Sequence, residues 1–390
     1  MEGVSQPLPA TGNRTIATLY KACACSAIGL ALLMVAGIWH LGANSMIACG
    51  FLGAAFIHFS SRPSLNEIFT TLAAGMVAGA LYLLLKGPVG ADAFTRSMGL
   101  GAFLGIGSIA ILSFEMVARE RRDRARFLAD ALVLPVFSLV AGIGMQLTNH
   151  AAHPSYDYLV YGFESSLGIF PGAAVVRLFH RMPWTQTGAE LVYAGLLIFP
   201  TLYHAWALWR GRAEKNNLMH RFVIAGLCGF LFYQICPAMG PLYAFSSQFP
   251  DHLPASVPLQ PFSSTGVNNA MPSMHMSWAL LVWFAAWELG AAAIALATLV
   301  VGFTGLATLG FGEHYLIDLI VAAPVVMATV GIYRRNVALG AAGVALAAGW
   351  TAYLRSGAWT HVAPWIHWTV IVATLSAAAA ITRVARWRFS

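Results

Sequence analysis

Long apolar runs separated by short polar breaks dominate the sequence. About 20 consecutive apolar residues are enough to cross a bilayer as a helix. We therefore predict an all-α, polytopic membrane protein. Its run at 274–289 is short and joins the next one across Glu288-Leu289-Gly290, which we interpret as a tight turn. The twelve predicted membrane helices are 17–40, 44–60, 67–85, 97–118, 126–147, 189–209, 220–240, 274–289, 291–310, 314–333, 336–354 and 366–384.

Composition agrees with that pattern. Hydrophobic residues make up 58% of the 390 residues and charged residues only 9%, which excludes a soluble protein of this size. The five cysteines lie in apolar runs, so no disulfide framework is expected and Cys23-x-Cys25 is a weak metal signal. We expect no metal and no cofactor. The net charge of +7 does not require a nucleic acid, because cationic cytoplasmic loops explain it.

The distribution of cations predicts the orientation. With a cytoplasmic N-terminus, twelve spans place 17 of the 22 Lys and Arg on the cytoplasmic side, as the positive-inside rule requires. Both termini are then cytoplasmic, in a plasma membrane or a bacterial inner membrane. The basic runs Arg119–Arg126 and Arg210–Arg221 are interpreted as topology anchors that touch anionic lipid heads.

Two segments on the external side are long. In residues 148–188, the pattern around Arg177 and Arg181 predicts an amphipathic helix in the membrane interface. That helix could cover a site and bring one cation to it, or it could be a plain anchor. Residues 241–273 contain no Lys or Arg and are interpreted as an ordered loop over the membrane surface.

The long loop ends in the polar sequence Asn268-Asn269-Ala270-Met271-Pro272-Ser273-Met274-His275. Pro272 suits the first position of a helix, and Asn268 or Asn269 could cap it. The helix would then start near Ser273, with His275 in its first turn. Free backbone N–H groups at a helix start favour a phosphate.

A second polar cluster, Gly312-Glu313-His314-Tyr315-Leu316-Ile317-Asp318, opens a later apolar run. His314 and Asp318 are four apart, so on a helix the carboxylate can orient the imidazole. The cation distribution places both polar clusters, each at the start of its membrane helix, on the external face. Ionisable groups at the mouth of a membrane helix usually have a function, and this pair suggests nucleophile-plus-acid chemistry on a phosphorylated lipid.

These motifs resemble those of the type-2 phosphatidic acid phosphatase superfamily, which carries Pro-Ser-x-His and, downstream, His-x-x-x-Asp. The forms MPSMHMSWAL and GEHYLIDLIVA are similar to the inositol phosphorylceramide synthase branch, related to the sphingomyelin synthases. CPAMGPLYAF and the segment from Asp157 to Pro171 also resemble that branch. The resemblance covers roughly residues 125–335. It implies a six-helix catalytic core at 121–335, between a four-helix region at 1–120 and a two-helix region at 336–390.

The resemblance implies specific roles. His314 would attack phosphorus to form a phosphohistidine, Asp318 would orient its ring, and His275 would serve the leaving and incoming oxygens. Ser273 and nearby N–H groups would bind phosphate oxygens. We predict that further residues contact the substrate, namely Asn269, Thr308, Tyr315, Tyr243, Arg177 and Arg181.

The chain departs from the phosphatase pattern in its cations. The first motif region, Gln234–Phe245, has none, and position 308 holds threonine where the phosphatases have arginine. Fewer cations suit a singly charged phosphodiester. We therefore expect a lipid phosphotransferase that moves a head group, phosphoinositol being the first candidate from the resemblance alone, to a ceramide-like lipid or a glycan. A lipid phosphate phosphatase is the alternative, and a transporter or flippase is a third.

Overall fold

The structure is a computed structural model that describes residues 45–86, 93–149, 153–212, 217–264 and 266–387. The predicted helix at 17–40 lies outside the described residues, as does the Cys23-x-Cys25 pair. The described chain is almost entirely helical, and its one sheet has two short strands. The predicted all-α class is therefore confirmed at the level of a mainly helical chain.

Fifteen α-helices are described, and two 3-10 turns at Ser246–Gln248 and Ala358–His361 follow two of them. The strands are β1 (His153–Ser155) and β2 (Phe262–Ser264). The helices are α1 (Ser45–Ser60), α2 (Leu65–Lys86), α3 (Ala93–Ala118), α4 (Arg124–Asn149), α5 (Asp157–Ser166), α6 (Pro171–Arg181), α7 (Pro183–Ala194), α8 (Ile198–Trp209), α9 (Leu218–Ile235), α10 (Pro241–Phe245), α11 (Met274–Ala286), α12 (Ala291–Gly310), α13 (Leu316–Tyr333), α14 (Val337–Ser356) and α15 (Pro364–Trp387).

Several helices are long and apolar enough to cross a membrane. In the described part of the chain seven pass on length and composition, within α2, α3, α4, α9, α12, α13 and α14. Two bent pairs, α5–α6 at 77° and α7–α8 at 68°, raise the number to nine if each pair is one span. Several spans therefore support an integral membrane protein, whereas the predicted number of twelve is not confirmed. The runs predicted at 44–60 and 274–289 are shorter helices, α1 and α11.

The predicted span at 189–209 is broken between α7 and α8. Gly195 ends α7, and Pro200 lies in the first turn of α8. A proline has no N–H to donate, so it is tolerated in a first turn and not in the middle of a helix. The apolar run is therefore continuous in the sequence, but the helix is not.

The chain divides into two compact units, one ending at Leu139 and the other starting at Val140. In the first unit α3 packs against α1 and α2. Glu67 lies in the first turn of α2, where its carboxylate accepts a hydrogen bond from the Ser64 N–H and pairs with Arg124 and Arg121, each at 3.2 Å. Arg124 is buried. These two arginines of the predicted lipid anchor are thus held by a carboxylate of the protein.

In the second unit α13 is the central helix, and α9, α11, α14 and α15 pack around it. The terminal pair α14–α15 belongs to the same core, where Trp350 and Trp359 pack edge-on against Phe163 of α5 at 5.9 Å. Arg355 of α14 donates to the Ile235 carbonyl at the end of α9 (2.6 Å) and to the Tyr156 hydroxyl (2.8 Å). The predicted division into three sequence regions stays a prediction.

The long segment between α9 and α11 is fixed to α5 at several points. β1 and β2 pair antiparallel, with Ser155 opposite Phe262. The Tyr161 hydroxyl donates to the Pro254 carbonyl at 2.8 Å, and the Tyr158 and Phe262 rings lie 4.4 Å apart. The segment therefore reaches the start of α11 as an ordered structure.

Candidate active site

Ser273 defines the start of α11. It is the N-cap, and its hydroxyl accepts a hydrogen bond from the Met276 N–H at 3.3 Å. The predicted arrangement, with Pro272 at the first helical position and an asparagine as cap, is wrong, because the helix begins two residues later, at Met274. A serine oxygen caps a helix well, so Ser273 closes the helix start itself. His275 lies in the first turn, as predicted.

Asp318 lies in the first turn of α13 and caps it. Its Oδ2 accepts the Tyr315 N–H at 2.8 Å, and its main-chain carbonyl accepts the Ser273 N–H at 3.0 Å. The second bond joins the start of α13 directly to the start of α11. The two helix mouths that carry the predicted motifs are therefore neighbours in space.

The ring of His314 is held by a main-chain carbonyl. Nδ1 lies 2.8 Å from the Ala270 oxygen and 3.6 Å from Asp318 Oδ2. A carbonyl can only accept, so Nδ1 carries the proton and Nε2 keeps its lone pair. The expected orientation of the ring by Asp318 is thus supplied mainly by Ala270, and the carboxylate stands just beyond hydrogen-bond distance.

The two histidines face each other. The rings of His275 and His314 have centroids 5.8 Å apart at an interplanar angle of 67°. The ring of Tyr193 in α7 stacks on the ring of His275. Their centroids are 4.4 Å apart and their planes differ by 20°. Phe311 and Trp278 lie edge-on to this stack. An apolar enclosure of this kind keeps water away from the reacting atoms.

His314 is buried, and burial disfavours its charged form. Loss of water lowers the pKa of His314 from 6.5 to about 4, although the Ala270 carbonyl and the Glu313 carboxylate both oppose the change. The ring is therefore neutral at pH 7. A neutral imidazole with a free Nε2 is the form that can act as a nucleophile.

The first motif region packs against the segment that precedes His314. Its residues 236–240 form a loop before α10, which we call the first-motif loop. The Leu242 N–H donates to the Gly312 carbonyl at 2.9 Å, and the Tyr243 hydroxyl donates to Glu313 Oε1 at 3.0 Å. Gly240 has a positive φ of 94°, and a Cβ there would collide with the Glu313 carbonyl. Only glycine allows this close approach of two backbones.

Two further carboxylates support the same region from α5. Asp157 is fully buried and accepts the Gly240 N–H and the Tyr315 hydroxyl, each at 2.9 Å. Glu164 Oε1 accepts the Leu316 N–H at 2.7 Å. The first turn of α13 is thus bonded by its own Asp318 and by both acidic residues of α5.

Two of the predicted substrate contacts have internal partners instead. Tyr315 is fully buried and its hydroxyl is taken by Asp157. Thr308 is also fully buried, its hydroxyl donates to the Thr304 carbonyl at 2.8 Å, and its own carbonyl accepts the His314 N–H. Both residues therefore fix the backbone around His314, and their contact with a substrate stays a prediction.

The remaining predicted contacts differ in position. Tyr243 is exposed, and its hydroxyl donates to Glu313. Asn269 is half-buried and lies two residues before Met271. Arg177 and Arg181 are exposed on α6, and no hydrogen bond or ion pair joins either of them to His275 or His314 within the described residues. Their contact with a substrate stays a prediction.

Sequence reasoning missed Tyr193 and gave Asp157 no role. Tyr193 ends an apolar helix, where a tyrosine is ordinarily an interfacial residue, and only tertiary packing shows its stack on His275. Asp157 had a usable signal in the sequence, since it opens the segment to Pro171 that carries part of the resemblance, and the structure shows it to be fully buried. Among the described residues, no group of three or more His, Cys, Asp or Glu could hold a metal ion.

Comparison with known proteins gives one match. Residues 159–332 match the family model of the PAP2 superfamily, over a segment that includes His275, His314 and Asp318. Searches of curated proteins and of solved structures found no significant match. The match supports a phosphatase or phosphotransferase of lipid phosphates.

Proposed function

We propose that this protein is a membrane lipid phosphotransferase, which moves a phosphorylated head group from a phosphodiester lipid to a hydroxyl acceptor through a phosphohistidine on His314. The observation that carries the proposal is the facing pair of histidines. His314 has Nδ1 tied to Ala270, and its ring lies 5.8 Å from that of His275. Nucleophile and proton donor are thus neighbours, as transfer at a single phosphorus atom requires.

The reaction has two balanced steps. In the first, His314 Nε2 forms a bond to phosphorus and the bond from phosphorus to the diacylglycerol oxygen breaks. His275, which takes up a proton from solvent when the anionic donor binds beside it, gives that oxygen its proton. In the second, an acceptor hydroxyl gives its proton to His275 and its oxygen attacks phosphorus, which releases Nε2. His275 ends in its starting state, and the Ala270 carbonyl holds the Nδ1 proton of His314 throughout.

Charge supports a diester as the donor. A phosphate monoester carries nearly two negative charges at pH 7, whereas a diester carries one. The Glu313 carboxylate stands beside His314, and within the described residues its side chain has no ion-pair partner and accepts one hydrogen bond, from Tyr243. An unneutralised carboxylate next to the nucleophile penalises a doubly charged substrate more than a singly charged one.

Exclusion of water supports transfer over hydrolysis. The histidine pair is surrounded by Tyr193, Trp278 and Phe311, which leave little polar surface for a hydrolytic water. An acceptor hydroxyl carried by a lipid or a glycan would arrive with its own apolar or bulky body and displace solvent. Phosphatidylinositol stays the first donor candidate, on the sequence resemblance alone.

The test is a direct comparison of donors. Purified protein in nanodiscs is offered phosphatidic acid and phosphodiester lipids side by side, with and without a lipid alcohol. We expect head-group transfer from a diester only when the alcohol is present, and slow release of phosphate from phosphatidic acid. Fast phosphate release from phosphatidic acid, without transfer from any diester, would establish the phosphatase alternative.

A substitution of Glu313 tests whether its charge excludes phosphate monoesters. Glu313→Gln removes the negative charge and keeps an acceptor for the Tyr243 hydroxyl. If charge excludes monoesters, this variant gains hydrolysis of phosphatidic acid relative to diester transfer. Tyr243→Phe is the matched control, since it removes the hydrogen bond and leaves the charge in place.

A further inference from the structure

Asp157 carries a buried carboxyl group that the chemistry of the two histidines does not use. It lies at the first position of α5 with no exposed surface. Its carboxylate accepts four donors, from the Met239 N–H at 2.9 Å, the Gly240 N–H at 2.9 Å, the Tyr315 hydroxyl at 2.9 Å and the Ser155 hydroxyl. Four donors are the full capacity of a carboxylate, so the group is saturated.

These donors belong to separate segments of the chain. Ser155 is in β1, Met239 and Gly240 are in the first-motif loop, and Tyr315 follows the proposed nucleophile directly. Asp157 therefore bonds the loop before α10 and the N-cap of α13 through one side chain. It lies two residues before the segment that matches the family model.

Both bonds lead to His314 by a short path. Ala238 of the first-motif loop accepts the Ala270 N–H at 2.8 Å, and the Ala270 carbonyl in turn holds His314 Nδ1 at 2.8 Å. On the other side, Tyr315 is joined to His314 by a peptide bond. One path reaches the ring of His314, and the other reaches its backbone.

We propose that Asp157 is a positioning residue for His314, which fixes the distance between the Ala270 carbonyl and the His314 backbone. The proposal rests on the function proposed above only in calling His314 the nucleophile. A shift of the first-motif loop against the start of α13 would lengthen the Nδ1 bond to Ala270. The ring would then lose its single tautomer and its alignment with His275.

A carboxylate fits this task better than its amide isostere. All four partners are donors, and an asparagine would turn an NH2 group toward at least one of them. The resulting donor–donor contact would push the first-motif loop and Tyr315 apart. Asp157→Asn therefore keeps the volume of the side chain and removes its positioning.

The test measures His314 without a substrate. Nitrogen-15 NMR of the ring nitrogens, with His314→Gln to assign the signal, reports which nitrogen carries the proton. We expect a single Nδ1–H tautomer in the wild type, mixed tautomers in Asp157→Asn and a smaller change in Tyr315→Phe. Tyr203→Phe is the matched control, because its buried hydroxyl donates to the Ala293 carbonyl at 2.7 Å, between α8 and α12.

Kinetics give the second readout. Turnover is normalised to active sites by the burst of phosphohistidine, so that loss of folded protein does not count. We expect kcat per site to fall by about 10–100-fold in Asp157→Asn with little change in KM, since small misplacements of a reacting group cost about that much. Tyr203→Phe should lower the thermal midpoint and leave kcat per site unchanged.

The outcomes separate the two proposals. If Asp157→Asn keeps the wild-type tautomer and kcat per site, Asp157 is only a structural residue and the inference is wrong. If Asp157→Asn does not fold, Tyr315→Phe decides, and an unchanged tautomer there overturns it. If the tautomer shifts as expected but the wild type transfers no head group, the proposed function fails while the positioning role stands.

Discussion

At the scale of single residues, the stack of Tyr193 on His275 makes a prediction that a hydrogen bond would not. The rings lie 4.4 Å apart and nearly parallel, so the contact depends on the ring of Tyr193 rather than on its hydroxyl. Tyr193→Phe should keep near wild-type turnover. Tyr193→Leu removes the stack, and we expect kcat to fall by about 10-fold as His275 loses its orientation.

Steady-state kinetics on lipid donors check this prediction, with the ratio of the two variants as the readout. Equal losses in Tyr193→Phe and Tyr193→Leu would assign the role to the hydroxyl. Normal turnover in Tyr193→Leu would show that the stack does not orient His275.

The burial of His314 makes a prediction about pH. The pKa of His314 falls from 6.5 to about 4 on burial, and the neutral form is the nucleophile. The phosphohistidine burst should therefore stay fast as pH falls through 6.5, and slow only near pH 4. The same shift makes the fold lose stability as pH falls from 6.5 toward 4, because the unfolded chain binds the proton more readily.

Rapid-quench measurements check this with a donor whose leaving group needs no proton from His275. The burst rate is recorded against pH in the wild type and in Glu313→Gln, which lacks a charge that raises the His314 pKa. A midpoint near 6.5 would mean that His314 is solvated in the working enzyme, which contradicts the buried site.

At the scale of elements, the packing of α6 on the end of α12 positions the segment that leads into His314. Gly310 ends α12 and lies against the ring of Phe179, so a Cβ at this position would overlap the ring. Gly310→Ala should push α6 outward, lower the thermal midpoint and reduce turnover. Gly302→Ala is the matched control, because a Cβ there meets nothing within 4 Å.

A second substitution, at Phe179, tests why Gly310→Ala has its effect. Phe179→Leu makes room beside Gly310, so the double variant should recover part of the lost turnover. Thermal denaturation and kinetics of the two single variants and the double variant check this. Additive losses in the double variant would show that the overlap with Phe179 is not the cause.

The elements also show what the sequence can and cannot predict. The motif helices begin within two residues of their predicted starts, because Ser273 and Asp318 are strong local capping signals. The apolar run at 189–209 does not reveal its bend, because hydrophobicity measures length and not the direction of the helix axis. The stack of Tyr193 and three of the four bonds of Asp157 join residues far apart in sequence, so no local pattern contains them.

At the scale of the whole molecule, the cation distribution still predicts the topology, with the histidine pair on the external face and both termini in the cytoplasm. Ser263 is an exposed position in β2, whereas Ser264 is buried, so Ser263→Cys is the better label for the external side. Arg122→Cys labels the predicted cytoplasmic side. Both substitutions are placed in a chain whose five cysteines are replaced.

Impermeant thiol reagents on intact cells should then modify Ser263→Cys and leave Arg122→Cys unmodified until the membrane is opened. Modification of both positions from outside would contradict the topology. Modification of Arg122→Cys alone would invert it and place the site on the cytoplasmic face.

Capture of the covalent intermediate tests directly whether His314 is the nucleophile. His275→Ala is incubated with a phosphodiester lipid that carries a labelled phosphate and a good leaving group, so that the first step proceeds and the second lacks its base. We predict an acid-labile, base-stable label on the peptide that contains His314, and no label in His275→Ala combined with His314→Gln. Head-group transfer by the wild type without any labelled His314, or with the label on another residue, would show that His314 is not the nucleophile.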